Sequence, residues 1–305
     1  MKRTFVYSLY LILIFILCPY SLYSQDAGNT GLAFLKIGFG ARNISLGDLG
    51  VVGINDLTSI NYNPAQLTKI TSAQISFTQN NLIQDVSSQM FAAGFIAFGI
   101  PIAVGINNTS IPNIEVREKP GPALSVFDAH YFMGSISSAI EIQKQVSIGM
   151  TIKYLYENIF IEDATGFGID LGVTYLNLLS GLEFGASIKN LGSMNKLKNE
   201  STKLPADLRF GVAYAVDISS LKTKFNFVGG YQRYLNTEDN HFHIGAEAIY
   251  NNLLSLRAGY ITGYDSKNFS AGVGIKWNGF DFDFAYVPFK YGLGDSKIVS
   301  LLFTF

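Results

Sequence analysis

Phe167-Gly168-Ile169-Asp170-Leu171-Gly172-Val173-Thr174-Tyr175 places large apolar side chains on one parity and glycine, aspartate or threonine on the other. The same period of two returns at Phe225 and Phe227, at Phe280-Asp281-Phe282-Asp283-Phe284-Ala285-Tyr286, and over Val299, Leu301, Phe303 and Phe305 against Ser300 and Thr304. Such a period sends alternate side chains to opposite faces of an extended strand. In a soluble sandwich the apolar face would have to fold onto a second sheet. Here nearly every segment from Gln145 to Phe305 repeats one long apolar face and one sparse polar face. That pattern predicts an all-β chain, closed as a transmembrane antiparallel β-barrel with lipid outside and a polar lumen inside.

The charges agree. Lys153, Asp170, Glu183, Lys189, Arg209, Glu247, Arg257, Lys276, Asp281 and Asp283 all fall on the parity opposite the aromatics. Acids and bases are equal in number, so pairing within a wet lumen is the expectation, ahead of an ion or substrate relay. Only 15% of the 305 residues are charged, against about a quarter in soluble domains, and 48% are hydrophobic. The net charge of −1 excludes an electrostatic nucleic-acid binder.

At the start, Met1-Lys2-Arg3 precedes the apolar run Phe5–Leu17, and Ser21, Ser24 and Gln25 follow. This reads as a signal peptide over residues 1–24, because the run is too short to serve as a membrane anchor. Cys18 is the sole cysteine, and Leu17 before it is too large for a lipidation signal. The mature chain then has no disulfide and no thiolate metal site. The uncharged stretch Val86–Ile114 could be mistaken for a transmembrane helix. Gly94, Gly99, Pro101 and Gly105 interrupt it, so two strands and a tight turn near Gly99-Ile100 are predicted.

The alternation yields fourteen strands, at 73–80, 88–98, 101–110, 126–140, 145–158, 165–177, 181–190, 205–218, 222–233, 240–251, 253–261, 267–277, 279–288 and 295–305. Connections after even-numbered strands are short. Those after odd-numbered ones are longer, notably Ile111–Ser125 and Leu191–Leu204. Outer-membrane barrels keep short turns on the periplasmic side, so both termini are expected there. Tyr156, Tyr231, Tyr260 and Tyr286 at one end, with Tyr175, Tyr214, Tyr250 and Trp277 at the other, form two aromatic girdles. A barrel of this size is wider than wall side chains fill. Residues 25–72 do not alternate, are rich in glycine, and hold Asn63 ahead of Pro64, a capped helix start. They are assigned to the lumen as a hatch, leaving 73–305 as the barrel.

Gly31-Leu32-Ala33-Phe34-Leu35-Lys36-Ile37-Gly38-Phe39-Gly40-Ala41-Arg42, then Leu46-Gly47-Asp48, then Asn61-Tyr62-Asn63-Pro64-Ala65-Gln66-Leu67, resembles the N-terminal signature of the PorV/PorQ family of outer-membrane proteins. That family is related to the FadL-type long-chain fatty acid transporters, and the Asn-Pro-Ala-x-Leu element is shared with the FadL-like group at large. The resemblance implies a fourteen-stranded FadL-like barrel with the motif Asn63, Pro64, Ala65 and Leu67 as a structural part of the hatch. It further implies a non-enzymatic component or accessory of type IX-like protein secretion and surface attachment. Its partners would be outer-membrane lipid, secretion-machinery proteins or secreted cargo, met by the lipid-exposed wall or by outer loops, of which Ile111–Ser125 and Leu191–Leu204 have the reach. The alternative is a FadL-like channel for passive uptake of hydrophobic small molecules, with Phe34, Leu35, Ile37 and Phe39 lining its pocket.

Other chemistry is sparse. His241 and His243 lie two apart with Glu247 on the same parity, and they read as polar lumen residues, not as half of a metal site. His130 stands alone. With three histidines and no Ser–His spacing, neither a catalytic site nor a cofactor is expected.

Overall fold

The computed structural model describes residues 31–305. The predicted signal peptide and the first residues of the predicted hatch lie outside them. The described strands are β1 (Gln74–Asn81), β2 (Ser87–Ala97), β3 (Ile100–Val116), β4 (Ser125–Gln143), β5 (Val146–Ile159), β6 (Glu162–Leu176) and β7 (Leu182–Met194). After the two-residue strands β8 (Lys196–Leu197) and β9 (Glu200–Ser201) come β10 (Asp207–Ile218), β11 (Thr223–Tyr234), β12 (Asn240–Tyr250) and β13 (Leu254–Ile261). β14 (Phe269–Trp277), β15 (Phe280–Pro288) and β16 (Asp295–Thr304) complete the chain.

Fourteen of these strands form one closed antiparallel barrel, with β1 paired to both β2 and β16. β8 and β9 make a small separate hairpin within the connection from β7 to β10. Closure removes the edge strands that lipid cannot satisfy. The parity holds in three dimensions. Phe167, Ile169, Leu171, Val173, Phe280 and Phe282 are exposed on the outer face, while Lys153, Asp170, Lys189, Arg209, Glu247 and Arg257 are buried on the inner one. The stretch that could be mistaken for a helix is the hairpin β2–β3, turned at Phe98 (φ 53°) and Gly99 (φ 76°).

The two long loops differ from expectation. The predicted loop 111–125 shrinks to residues 117–124, because β3 and β4 stay paired to Val116 and Ser125 across a register shift between Ile111 and Ile114. Asn113, at φ 58°, donates its amide to the Asp128 carboxylate at 2.9 Å within that irregularity. The bulge breaks the side-chain alternation while leaving the pairing intact, so the strand is hidden from a period-two reading. A second shift, at Ile169/Leu171, carries β7 on to Met194. There Asp170 accepts the amide of Asn190 at 2.7 Å, and Asn190 sits at φ 57°.

Residues 31–73 lie inside the barrel. They form the short helical turns Ala33–Lys36, Ala41–Ser45, Leu57–Asn61 and Pro64–Lys69. Asn63 caps the last of them, accepting from the Ala65 amide at 3.1 Å with Pro64 at the first helical position, as the motif predicted. Wall glycines on the inner face make room for this segment. A Cβ on Gly149 would strike the Pro64–Ala65 backbone, one on Gly172 the Asn63 side chain, and one on Gly259 the backbone of Leu46 and Gly47. This accounts for glycine on the polar parity. Gln74 and Thr304 lie at the short-turn end. Gly31 lies at the opposite end, its amide bonded to the Lys203 carbonyl at 3.1 Å.

Candidate ligand pocket and polar vestibule

The N-terminal segment divides the lumen. Toward the long-loop end it leaves a cavity of about 370 Å³ between itself and β13–β16. Ile37 and Ile44 supply one side, Ile261, Val287 and Ile298 the wall, and Leu82, Ile83 and Val86 the connection from β1 to β2. These wall residues occupy the lumen-facing parity that carries charge further down the barrel.

The polar lining is confined to a few groups, among them Lys36, Asp48, Tyr264 and Lys267. Neither lysine has a carboxylate within ion-pair distance among the described residues. Instead each ammonium sits over a ring, Lys36 at 4.5 Å from the Tyr234 centroid and Lys267 at 4.7 Å from that of Tyr264. Tyr264 stacks on His241 at 4.0 Å, and Tyr234 meets His241 edge-on at 5.8 Å. Burial lowers the Lys267 ammonium below the usual lysine value and pushes the Tyr264 hydroxyl up to about 12. Asp48 accepts from the Tyr62 hydroxyl at 2.6 Å, and that hydroxyl accepts the Phe39 amide at 2.8 Å. Burial, then the Asp48 charge, keep Tyr62 protonated well above the usual phenol range.

At the short-turn end a second cavity, of about 330 Å³, is lined by Arg42, Asp56, Lys224, Glu247, Arg257, Lys276, Asp281 and Asp283. Its charges are mostly matched. Glu247 takes Arg42 at 2.7 and 3.1 Å, Arg257 at 2.6 Å and the Asn226 amide at 2.8 Å. Arg257 also reaches Asp283 at 2.6 Å, and Lys276 reaches Asp281 at 2.9 Å. Arg42 further donates to the Gly53 carbonyl at 3.0 Å, so it ties the internal segment to the wall and to itself. Burial opposes its charge, yet the Glu247 carboxylate prevails and holds the guanidinium above its ordinary value. A second tie joins Lys69 to Glu183 at 2.5 Å; there burial prevails and lowers the lysine despite its partner.

The predicted pocket residues do not act together. Only Ile37 lines the apolar cavity. Phe34 and Leu35 are buried against Met133, Leu155, Ala164 and Met194, with Phe34 stacked on Tyr131 at 5.4 Å. Phe39 packs instead with Leu57, Ile60, Leu67 and Met90. A 3₁₀ turn sends successive side chains about a third of a turn apart, so neighbours in sequence reach different walls. The motif residues Asn63, Pro64, Ala65 and Leu67 are brought together and buried. Asn63 Nδ2 donates to the carbonyls of Val51 at 2.8 Å and of Val173, on the wall, at 3.0 Å. Glu247, paired with two arginines, is not available to the histidines, and among the described residues no cluster of three His, Cys, Asp or Glu could hold a metal. Sequence reasoning missed Lys36, Tyr264 and Lys267. The one available signal was Lys36, the single charge within the apolar run Leu32–Phe39.

No family profile matches the chain, and no curated protein matches its sequence. Solved structures do match in fold. The CymD monoaromatic hydrocarbon channel aligns at 13% identity and TM-score 0.62, over 90% of this chain and 99% of CymD. The P. putida toluene transporter TodX aligns at 12% identity and TM-score 0.68, over 88% of this chain and 99% of TodX. A Pseudomonas aeruginosa FadL homologue aligns at 9% identity and TM-score 0.52, over 86% of this chain and 97% of its own. The fold is therefore that of FadL-like outer-membrane channels, and the finer likeness to PorV/PorQ rests on the N-terminal motif alone.

Proposed function

We propose that this protein is a passive outer-membrane channel for hydrophobic small molecules, with the short-turn end in the periplasm. The observation that carries the reading is the apolar cavity between the internal segment and β13–β16, at the long-loop end. A hydrophobic solute gains by leaving water for such a cavity, about 25 cal/mol per Å² buried. Residues between Gly38 and Leu49 then form the barrier between pocket and vestibule, tied down by Arg42–Glu247 and by Tyr62–Asp48. Passage requires this stretch to shift while the wall stays closed. The two lysines without carboxylate partners favour solutes whose apolar body ends in an acidic group over pure hydrocarbons.

Support also comes from the fold-mates, two of which are described as channels or transporters for monoaromatic hydrocarbons or toluene. The secretion reading drawn from the PorV/PorQ resemblance docks a partner on the lipid-exposed wall or on outer loops. The connection from β7 to β10 is instead engaged with the barrel's own contents: Leu204 is buried beside Phe34, and Thr202 bonds Glu157 at 2.6 Å. The test compares a deletion strain with its parent for uptake of labelled hydrophobic acids and for release of surface proteins. Reduced uptake with an unchanged set of surface proteins is the expected result. Unchanged uptake with lost surface proteins overturns the proposal.

A further inference from the structure

Among the residues lining the apolar cavity Asp48 is the sole carboxylate, and it belongs to the internal segment, not to the wall. Its seat is built. A Cβ on Gly38 would meet Asp48 Oδ1 at 2.0 Å, and one on Gly50 would meet the Tyr62 ring at 2.1 Å. Both partners of the Tyr62–Asp48 hydrogen bond therefore rest on bare backbone, and the bond, at 2.6 Å, is charge-assisted. The chain there runs through three left-handed positions, Gly47 (φ 82°), Asp48 (φ 61°) and Gly50 (φ 59°). A non-glycine residue in that region costs free energy and persists only where its neighbours over-determine it. Here Arg209 does so with Tyr62, donating to the carbonyls of Asp48 and Leu49 at 2.9 Å each. The ion-paired wall cluster beside Tyr62 sets Lys153, Lys189 and Arg209 against only Asp170 and Asp207, while Glu157, further along β5, is bonded to Thr202. Lys189 and Arg209 lie over the Tyr62 ring, at 5.6 and 5.4 Å. Asp48 is the carboxylate that evens this set. Its charge is also the main attraction felt by Lys267, which lines the same cavity beyond ion-pair distance.

We propose that Asp48 is a built-in stand-in for a solute's acidic head group, holding the barrier shut until an acid enters the pocket. The inference rests on the channel reading above. In the empty pocket the Asp48 charge is favourable, because it balances the wall cluster and faces Lys267. An acid head group drawn to Lys36 and Lys267 adds a second negative charge to the same apolar cavity, where like charges repel strongly. The state with Asp48 seated is then penalised, and the state with Gly47–Gly50 displaced is not. A ligand shifts such an equilibrium only by its differential affinity for the two states. A neutral hydrocarbon has no charge to set against Asp48, so it fills the pocket without opening the barrier. The stretch is well placed for this. Gly47 donates its amide to Ser270 Oγ at 3.3 Å, and a Cβ on Gly259 would strike it, so moving Asp48 lifts the barrier off β13 and β14.

The full chain is tested in nanodiscs for binding and in planar bilayers for conductance, with decanoate as the acid and decanol as its neutral match. Asp48→Asn keeps an oxygen for the Tyr62 hydroxyl and removes the charge. It should bind decanoate about tenfold more tightly than the wild-type chain does, and decanol equally. Without solute it should conduct more than the wild type and gain nothing further from decanoate. Heat-modifiable gel migration checks that the variant is folded. A second measurement needs no variant: wild-type conductance should rise with decanoate and not with decanol. Decanoate bound equally by both chains, or a wild-type conductance raised as much by decanol as by decanoate, would overturn the role of Asp48 and leave the channel reading standing. If the wild-type chain binds neither probe, the channel reading itself fails and takes this inference with it.

Discussion

The lumen holds two cavities of similar size, about 370 and 330 Å³, with opposite chemistry. At the short-turn end Glu247 is 2% exposed and is met by two arginines and an amide. At the long-loop end Lys36 and Lys267 meet aromatic faces and no carboxylate. Both sets of charges line the same barrel, so alternation alone does not set their meaning. A charge that is matched within the chain acts as a structural tie. A charge left over in an apolar cavity is open to a partner from outside.

The most damaging way to break that contrast is Glu247→Ala, which strands Arg42 and Arg257 without their carboxylate. Removing one member of a buried ion pair costs about 3–5 kcal/mol. The gel-shift unfolding temperature of the barrel should fall clearly, and ion conductance in planar bilayers should rise as the internal segment loosens. An unchanged unfolding temperature would show that this network does not tie the segment down.

Gly259→Val should be smaller but still evident. Its side chain meets the Leu46–Gly47 backbone, and overpacking of this kind costs about 1–3 kcal/mol. Folded yield from the membrane should drop, whereas a wild-type yield would mean that the segment does not pass so close to β13.

At the other cavity the expectation is reversed. Lys36→Ala with Lys267→Ala should leave stability unchanged or improve it, because burial outweighs the distant Asp48 carboxylate and leaves the Lys267 charge without an ion-pair partner. Affinity for an amphipathic acid, followed by tryptophan or ligand fluorescence, should fall about tenfold, or about 1.4 kcal/mol, with neutral hydrocarbons unaffected. Equal losses for both ligand types would remove the case for a head-group role.

The finest distinction is in pH. The folded Lys267 titrates below the ordinary lysine value of 10.5, and its charged form is the one below that lowered pKa. Affinity for the acid should therefore be full below the lowered value and weaken as pH rises through it, before ordinary lysines titrate. Lys267→Ala should abolish that phase.

Much of this was legible one strand at a time. Asp170 was placed on the lumen side from its neighbours Ile169 and Leu171, and it is there, paired with Lys153 at 2.6 Å. Pairing of the lumen charges was likewise predicted, and Arg257, Glu247 and Asp283 bear it out. Other partners were hidden. Glu183 is matched by Lys69 and Glu247 by Arg42, both from the internal segment, whose chain path no local pattern encodes. The loops around residues 111–125 and 191–204 were overdrawn for a different reason, since a bulge erases alternation without ending the strand.

The apolar stripes, the strand number and the capped turn at Asn63 and Pro64 could be read from residue order, because each depends on neighbours two to four positions apart. The pocket could not. Ile37, Ile83, Ile261, Val287 and Ile298 meet only because closing the barrel brings β16 back to β1 and threads the N-terminal segment past them. Contacts across such distances depend on where a 3₁₀ turn rotates a side chain and on which wall positions glycine leaves open, and neither is written in the period of the strands.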